Sequence, residues 1–355
     1  MKLLAFLILI CSVFLFIVSC GSNQIKNVSG TLDGAFLEAR KQNKYLFVIT
    51  KNVGCSTCDI VKDRIKDNEK LNRSLSEDYL VYEHNQKNVG GEYLSQIFYS
   101  IATPTVYIFK PDGKFITMIA GLASVSHYED VVDKIADNEY IPNVDDPKLA
   151  LGGENLVTFC NTMLSSFHIL QNKSADKKQI ENVLFSLERS LETQSYFFNN
   201  YMLAKLYERV GEMNKAKHFA TNALRYNKDF DIVLYQPLRN ELKYLIDDKF
   251  NIQEEAFLQV ANSEYNYGVI KLKERAKAVF KIRNVGKKPL IVKNLLGSCN
   301  CMKFEWDKLP ILPGKEGKIQ AIYEADVQGD FSKIIYVFSN SINGYNLLSV
   351  KGIVD

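Results

Sequence analysis

The chain has 355 residues, of which 46% are hydrophobic and 24% charged, with a formal net charge of +3. That balance is ordinary for a globular protein and leaves room for two or three domains. Lys and Arg are not gathered into a strong patch, so the composition excludes a dedicated nucleic-acid binder.

The first segment carries a targeting signal. Lys2 is followed by an apolar run from Leu3 to Val18, broken by Cys11 and Ser12. This is shorter than the roughly 20 residues a bilayer-spanning helix needs. A basic start, an apolar middle and small residues after it predict a secretory signal peptide over residues 1–19. The run ends Ile17-Val18-Ser19-Cys20-Gly21-Ser22, which resembles a bacterial lipobox. That resemblance implies diacylglycerylation of Cys20, which becomes the mature N-terminus and anchors the chain to a membrane, facing the periplasm of a bacterial cell envelope. Each buried CH₂ of an acyl anchor contributes about 0.8 kcal/mol. Residues 20–30 are polar and small and are expected to form a tether.

Residues 31–140 alternate between strand and helix signals. Leu32, Phe36 and Ala39 give helical spacing over Leu32 to Asn43, and Tyr45 to Thr50 is a continuous β-rich run expected of a buried strand. Asp59 to Asn72 is helix-like. Tyr79 to Tyr82 and Val106 to Phe109 read as strands. Pro111-Asp112-Gly113-Lys114 marks a turn leading to Phe115–Ile119, and Ser126 to Ile135 forms a closing amphipathic helix. Pro142, Pro147, Gly152 and Gly153 mark a linker over 141–153.

Residues 154–258 are helical in pattern. Ala204, Tyr207, Gly211, Ala216, Ala220 and Ala223 fall at spacings resembling one tetratricopeptide unit, and a plain helix hairpin fits them equally. From 262 to 355 β signals return. Val279 to Arg283 alternates, Leu290 to Val292 follows a turn at Asn284–Pro289, and Lys318–Tyr323, Lys333–Phe338 and Tyr345–Ile353 complete a β-sandwich pattern.

Cysteine usage carries the chemistry. Of 7 cysteines, Cys11 leaves with the signal peptide and Cys20 is the lipidation candidate. The rest fall as Cys55/Cys58, a lone Cys160 and Cys299/Cys301. Two tight pairs and a singleton point to local redox or metal sites in an exported chain. Cys160, beside Phe159 in a helical context, reads as a small buried hydrophobe.

Gly54-Cys55-Ser56-Thr57-Cys58 follows a strand and opens a helix. There the helix dipole and unpaired N–H groups favour a thiolate on the first cysteine. Cys55 is therefore the expected nucleophile and Cys58 the deeper resolving thiol. Together with Ala102-Thr103-Pro104-Thr105 ahead of a strand, this order of elements resembles the thioredoxin family over residues 30–140. The resemblance implies a cis-proline at Pro104, with Thr103 beside it pairing with the backbone of an extended client. It also implies thiol–disulfide oxidoreductase activity without a cofactor. Gly54 stands where thioredoxins usually carry Trp, Ser-Thr stands between the cysteines, and the strand Leu46–Ile49 lacks their buried acid. His84 and His127 lie outside the motif.

Residues 262–355, with Gly297-Ser298-Cys299-Asn300-Cys301 and Leu312-Pro313-Gly314, resemble a bacterial envelope family of unknown function that is expected to be immunoglobulin-like. Residues i and i+2 of a strand share a face but hold their Cβ atoms too far apart for a disulfide, so Cys299 and Cys301 need a turn to close. Gly297 and Asn300 allow one. The pair is a candidate second redox site, exchanging electrons with the C-x-x-C site or a client; metal binding or an idle pair is the competing reading.

Three functions follow. The first is a membrane-anchored thiol–disulfide oxidoreductase whose partners are envelope clients with thiols or disulfides and a membrane or periplasmic redox partner. The second is a non-catalytic interaction scaffold. The third is a copper-handling metallochaperone, although the expected copper histidine has no clear place here. A zinc site at Cys55/Cys58 needs two further ligands.

Overall fold

A computed structural model describes residues 25–51, 56–85, 93–100, 102–142, 145–146 and 148–355. The signal peptide, Cys20, Gly54, Cys55 and Pro147 lie outside the described residues.

The first layer is a five-stranded sheet. In chain order its elements are β1 (Asn27–Val28), α1 (Leu32–Gln42), β2 (Tyr45–Lys51), α2 (Ser56–Asp67), α3 (Glu69–Asp78), β3 (Tyr79–Asn85), α4 (Tyr93–Ile97), β4 (Thr105–Phe109), β5 (Phe115–Ala120) and α5 (Val125–Ala136). The strand order is β1-β3-β2-β4-β5, with β1, β3 and β2 parallel and β4 and β5 antiparallel to their neighbours. β2 and β4 are buried on both faces. Leu46, Val48, Tyr107 and Phe109 enter one core, while Phe47, Ile49, Val106 and Ile108 enter the other. This double burial is why these strands are unbroken apolar runs.

Three details differ from the sequence expectation. Residues 27–28 belong to the sheet rather than to a tether, because they pair with Val81 and Tyr82. The single helix expected over 59–72 is two helices. Asn68 breaks it, its side chain accepting a hydrogen bond from the Leu71 amide at 2.8 Å and capping α3. α4 is a one-turn helix too short to leave a periodic signal.

β6 (Asp145–Asp146) pairs with β7 (Leu151–Gly152), and a helical layer follows: α6 (Gly153–Gln171), α7 (Lys177–Thr193), α8 (Phe197–Arg209), α9 (Met213–Leu224) and α10 (Asp229–Ile246). Ala216, Ala220 and Ala223 are fully buried on α9 where α8 packs against it. Small side chains let the two helices approach closely. Cys160 is fully buried on α6, as its setting implied.

The helical layer and the α1/α4 face of the sheet share one hydrophobic core. Hydrogen bonds cross the junction. The Tyr235 hydroxyl donates to the Gln96 carbonyl at 2.8 Å, and the Gln96 amide donates to the Leu234 carbonyl at 3.1 Å. The Tyr196 hydroxyl donates to the Ile97 carbonyl at 3.1 Å, and the Tyr99 hydroxyl to the buried Asp231 carboxylate at 2.8 Å. Asn161 of α6 binds strand β5, accepting from the Phe115 amide at 2.8 Å and donating to its carbonyl at 3.0 Å. One side chain thus occupies both backbone groups of a sheet-edge residue, a local form of edge protection.

The remaining strands are β8 (Leu258–Val260), β9 (Glu264–Ile270), β10 (Arg275–Asn284), β11 (Val292–Gly297), β12 (Met302–Trp306), β13 (Glu316–Glu324), β14 (Gly329–Ser339) and β15 (Tyr345–Val354). They form two four-stranded sheets, β12-β13-β10-β8 and β11-β14-β15-β9. Both contribute to a third core: Ala278, Phe280 and Ile319 from the first, Ile335, Val337 and Val350 from the second. β10 alternates buried and exposed residues along its whole length, as a strand with one solvated face should. β9 pairs with β15 in parallel, whereas the other pairings here are antiparallel. The strand expected at 290–292 begins only at Val292, because Leu290 instead forms an isolated bridge to Ile311.

The helical layer also meets the β-sheets. Gln236 and Asn240 of α10 both donate to the Ile342 carbonyl, at 3.1 and 3.0 Å. Gly344 lies against Gln236, where an added Cβ would come within 2.5 Å, and it has a φ of +73°. Both the space and the backbone conformation require glycine there.

Asn161→Ala is expected to lower stability by about 1–3 kcal/mol, because the Phe115 amide loses its acceptor. Asn161→Asp should cost a similar amount, since a carboxylate cannot donate to the Phe115 carbonyl. Urea denaturation of both variants checks this, and unchanged midpoints would remove Asn161 from the docking account.

Candidate functional site

The site forms where the C-terminal end of β2 and the segment that enters antiparallel β4 meet the start of α2. Cys58 lies in the first turn of α2, is 4% exposed and is held in a disulfide. Its Sγ lies 3.9 Å from the Thr50 carbonyl oxygen at the end of β2. Cys55, the expected nucleophile, lies outside the described residues.

Thr50 ties the two parts of the motif together. Its hydroxyl donates to the Thr105 carbonyl at 2.9 Å and accepts from the Thr105 amide at 2.9 Å. Thr105 in turn donates its side-chain hydroxyl to the Ala102 carbonyl at 2.9 Å. These bonds fix the chain around Thr103–Pro104, whose peptide bond is cis as the family resemblance implied. The Pro104 carbonyl accepts from the Gly121 amide at 2.8 Å, so the loop after β5 is bound to the same place. Arg64 of α2 donates to the Ala123 carbonyl at 3.2 Å and closes that loop against the helix. Pro104 is buried and Thr103 half-buried, so Thr103 can be reached from outside. Ile60 and Leu122, 40% and 45% exposed, supply apolar surface on these same two elements.

One charged group was missed by sequence reasoning. Glu83 of β3 lies opposite Ile49 in register and accepts from both Lys51 and Lys62, the latter at 2.6 Å. Lys62 is one turn along α2 from Cys58. The signal was available as a lone acid directly after the apolar and aromatic run Tyr79–Tyr82, with a lysine four residues after the second cysteine. Burial by itself would raise the Glu83 carboxyl, but the hydrogen bonds from Lys51 and Lys62 outweigh it and hold the pKa below the usual carboxylate value. His84 is buried, 5.9 Å from the Tyr82 ring, and His127 is exposed at the start of α5.

The second cysteine pair is closed. Cys299 and Cys301 form a disulfide with Cα atoms 5.2 Å apart. Residues 298–301 form a turn between β11 and β12 instead of continuing a strand. The turn brings the Cα atoms within the ordinary disulfide range, which extended backbone would place at its upper limit. Among the described residues no group of three or more His, Cys, Asp and Glu is placed to hold a metal ion. No described helix is long and apolar enough to cross a membrane.

Two outcomes are expected. Thr50→Val keeps the shape but strands the Thr105 amide, and should cost about 1–3 kcal/mol in urea denaturation; an unchanged midpoint would show that Thr50 does not brace the loop. Glu83 has a depressed folded-state pKa, so its contribution is present at neutral pH and is lost as pH falls through the carboxylate range. Glu83→Gln should therefore lower stability at pH 7 by up to about 1 kcal/mol, given the partial exposure of the pair. The deficit should shrink in acid, and one that stayed constant with pH would point to packing instead.

Residues 32–136 match the family model described as a thioredoxin-like domain, and residues 258–354 match that described as a protein of unknown function (DUF1573). No curated protein matches the chain. Similar solved structures include a protein of unknown function from Porphyromonas gingivalis W83, at 18% identity and a TM-score of 0.27. That match covers 30% of this chain and 50% of that one, so this chain spans half of its length. A thioredoxin from Thermus thermophilus matches at 13% identity and a TM-score of 0.30, covering 33% of this chain and 90% of that one. A thioredoxin-fold protein from Helicobacter pylori matches at 17% identity and a TM-score of 0.26, covering 48% and 91% respectively. The chain carries a thioredoxin-like domain at residues 32–136 and a C-terminal domain of the DUF1573 family at residues 258–354.

Proposed function

We propose that the chain is a thiol–disulfide oxidoreductase of the bacterial cell envelope, anchored through a lipid on Cys20 and facing the periplasm. The observation that carries this reading is the placement of Cys58. It is a buried, disulfide-bonded cysteine at the start of a helix, joined through Thr50 to the segment that holds the cis Thr103–Pro104 bond.

In the reducing direction the Cys55 thiolate attacks a client disulfide. One client thiolate leaves and a mixed disulfide forms. The Cys58 thiolate then attacks Cys55, releasing the second client thiol and leaving the pair oxidised. An envelope dithiol partner resets it, and the oxidising direction is the reverse. Thr103 offers its backbone to an extended client, while Ile60 and Leu122 give the client apolar contact. The module limits we propose are 31–140, 154–258 and 262–355, joined by a linker at 141–153. On this reading the helical region presents a tetratricopeptide-like hairpin, α8–α9, the last part is an immunoglobulin-like sandwich, and both select or position clients.

The test is the reduction potential of the Cys55/Cys58 pair in the full chain. The chain is equilibrated in glutathione buffers, alkylated, and mapped peptide by peptide so that each cysteine is read separately. Reversible cycling between about −270 and −120 mV is expected, the lower end marking a reductant and the upper an oxidant. A pair that never cycles would make the chain an interaction module instead. Copper retained by the reduced pair without cycling would favour a metallochaperone.

A further inference from the structure

The C-x-C disulfide sits in more than a tight turn. Cys301, the last residue of the turn, directly precedes β12, and its carbonyl accepts from the Glu324 amide of β13 at 3.0 Å. Glu324 lies opposite Arg275 of β10 in register. Cys301, Glu324 and Arg275 therefore stand side by side across the ends of three strands. They open onto a surface cavity of about 340 Å³ that Asn300, Lys303 and Asp326 also line. Cys301 is half-buried, and Cys299 is not among the residues lining the cavity. Arg275 and Lys303 form no ion pair among the described residues.

A disulfide that served only to staple the turn would need neither a cavity at one of its sulfurs nor charges of both signs around it. The volume is at the small end of the range for small-molecule sites and is too small to seat a folded partner. Two cations suit carboxylates and two carboxylates suit an ammonium group.

We propose that Cys299–Cys301 is a second redox centre, attacked at Cys301 by a small zwitterionic thiol such as an amino-acid or short-peptide thiol. The incoming thiolate bonds to the Cys301 sulfur and the Cys299 thiolate leaves. A second thiolate then attacks the sulfur of the bound thiol, releasing the symmetrical small-molecule disulfide and the Cys301 thiolate. Two thiols are oxidised and one protein disulfide is reduced; the reverse sequence recharges the pair. This step does not depend on Cys55 or Cys58.

The test uses the full chain and glutathione as the probe, with uncharged 2-mercaptoethanol as control, and maps mixed disulfides by mass spectrometry. In Cys299→Ser, oxidised glutathione should label the Cys301 peptide. In Cys301→Ser, the Cys299 peptide should be labelled far more slowly. Arg275→Ala and Lys303→Ala, both surface changes, should slow glutathione exchange in the otherwise native chain by roughly tenfold at low salt. They should leave 2-mercaptoethanol exchange unchanged, and the difference should fade as salt rises. A pair that stays oxidised in both thiols, whose reduction only lowers the melting temperature, would make the disulfide a structural staple. Equal labelling of the two cysteines, or equal effects of the charge changes on both thiols, would also overturn the proposal. The surface variants keep the test valid if the serine variants fail to fold.

Discussion

The central sheet is apolar on both faces, and the rest of the molecule is arranged around the need to cover it. Burial of apolar surface contributes roughly 25 cal/mol per Å², so neither face can be left to water. α2, α3 and α5 cover one face, contributing Val61, Ile65, Leu71, Leu75, Tyr128 and Val132. α1 and α4 begin the cover of the other, and the helical layer completes it. That layer is therefore part of the sheet's own core. Tyr196, Tyr235 and half-buried Tyr99 at the junction have the geometry this demands: apolar rings turned inward, with each hydroxyl spent on a backbone carbonyl or a carboxylate.

Covering both faces leaves only the strand ends and the sheet edges open to solvent. Asn161 binds backbone groups of one edge strand. Cys58, Thr50, Thr103 and Pro104 converge where β2 ends and antiparallel β4 begins. The buried position next to Thr105 is filled by the Thr50 hydroxyl, which is neutral and satisfied in both directions. The ionisable group of the region is displaced to Glu83, where two lysines hold it charged. The local chemistry thus differs from a site built around a lone buried acid, whose burial would favour the neutral form.

The C-terminal sheets repeat the logic with one polar face each. β10 shows it most plainly, with Ala276, Ala278, Phe280 and Ile282 inside and Arg275, Lys277, Lys281 and Arg283 outside. β11 and β12 belong to different sheets, so the chain must turn from one layer to the other between them. Cys299 and Cys301 sit in that crossing, where a sharp turn is needed in any case and a closely spaced disulfide becomes possible. The helical layer reaches this part through Gln236 and Asn240, so the three regions follow one another through direct contact.

The sequence by itself determined the elements whose signals are local. The runs at Tyr45–Thr50 and Val106–Phe109, the alternation along Val279–Arg283, and the two cysteine pairs each carry their meaning within a few residues. Period and spacing are properties of the chain before it folds. What escaped was set by distant partners. Asn27–Val28 is a strand only because Val81 and Tyr82 are beside it. Met302–Trp306 is too short to announce itself without β13. Nothing in the sequence places Glu83 between Lys51 and Lys62, Thr50 against Thr105, or Arg275 beside Glu324 and Cys301. Those neighbours are tens of residues apart, and only the closing of the sheets brings them together. Cys58 and the cis-proline segment of the candidate site were therefore legible, while the groups that surround and charge them were decided by the tertiary structure.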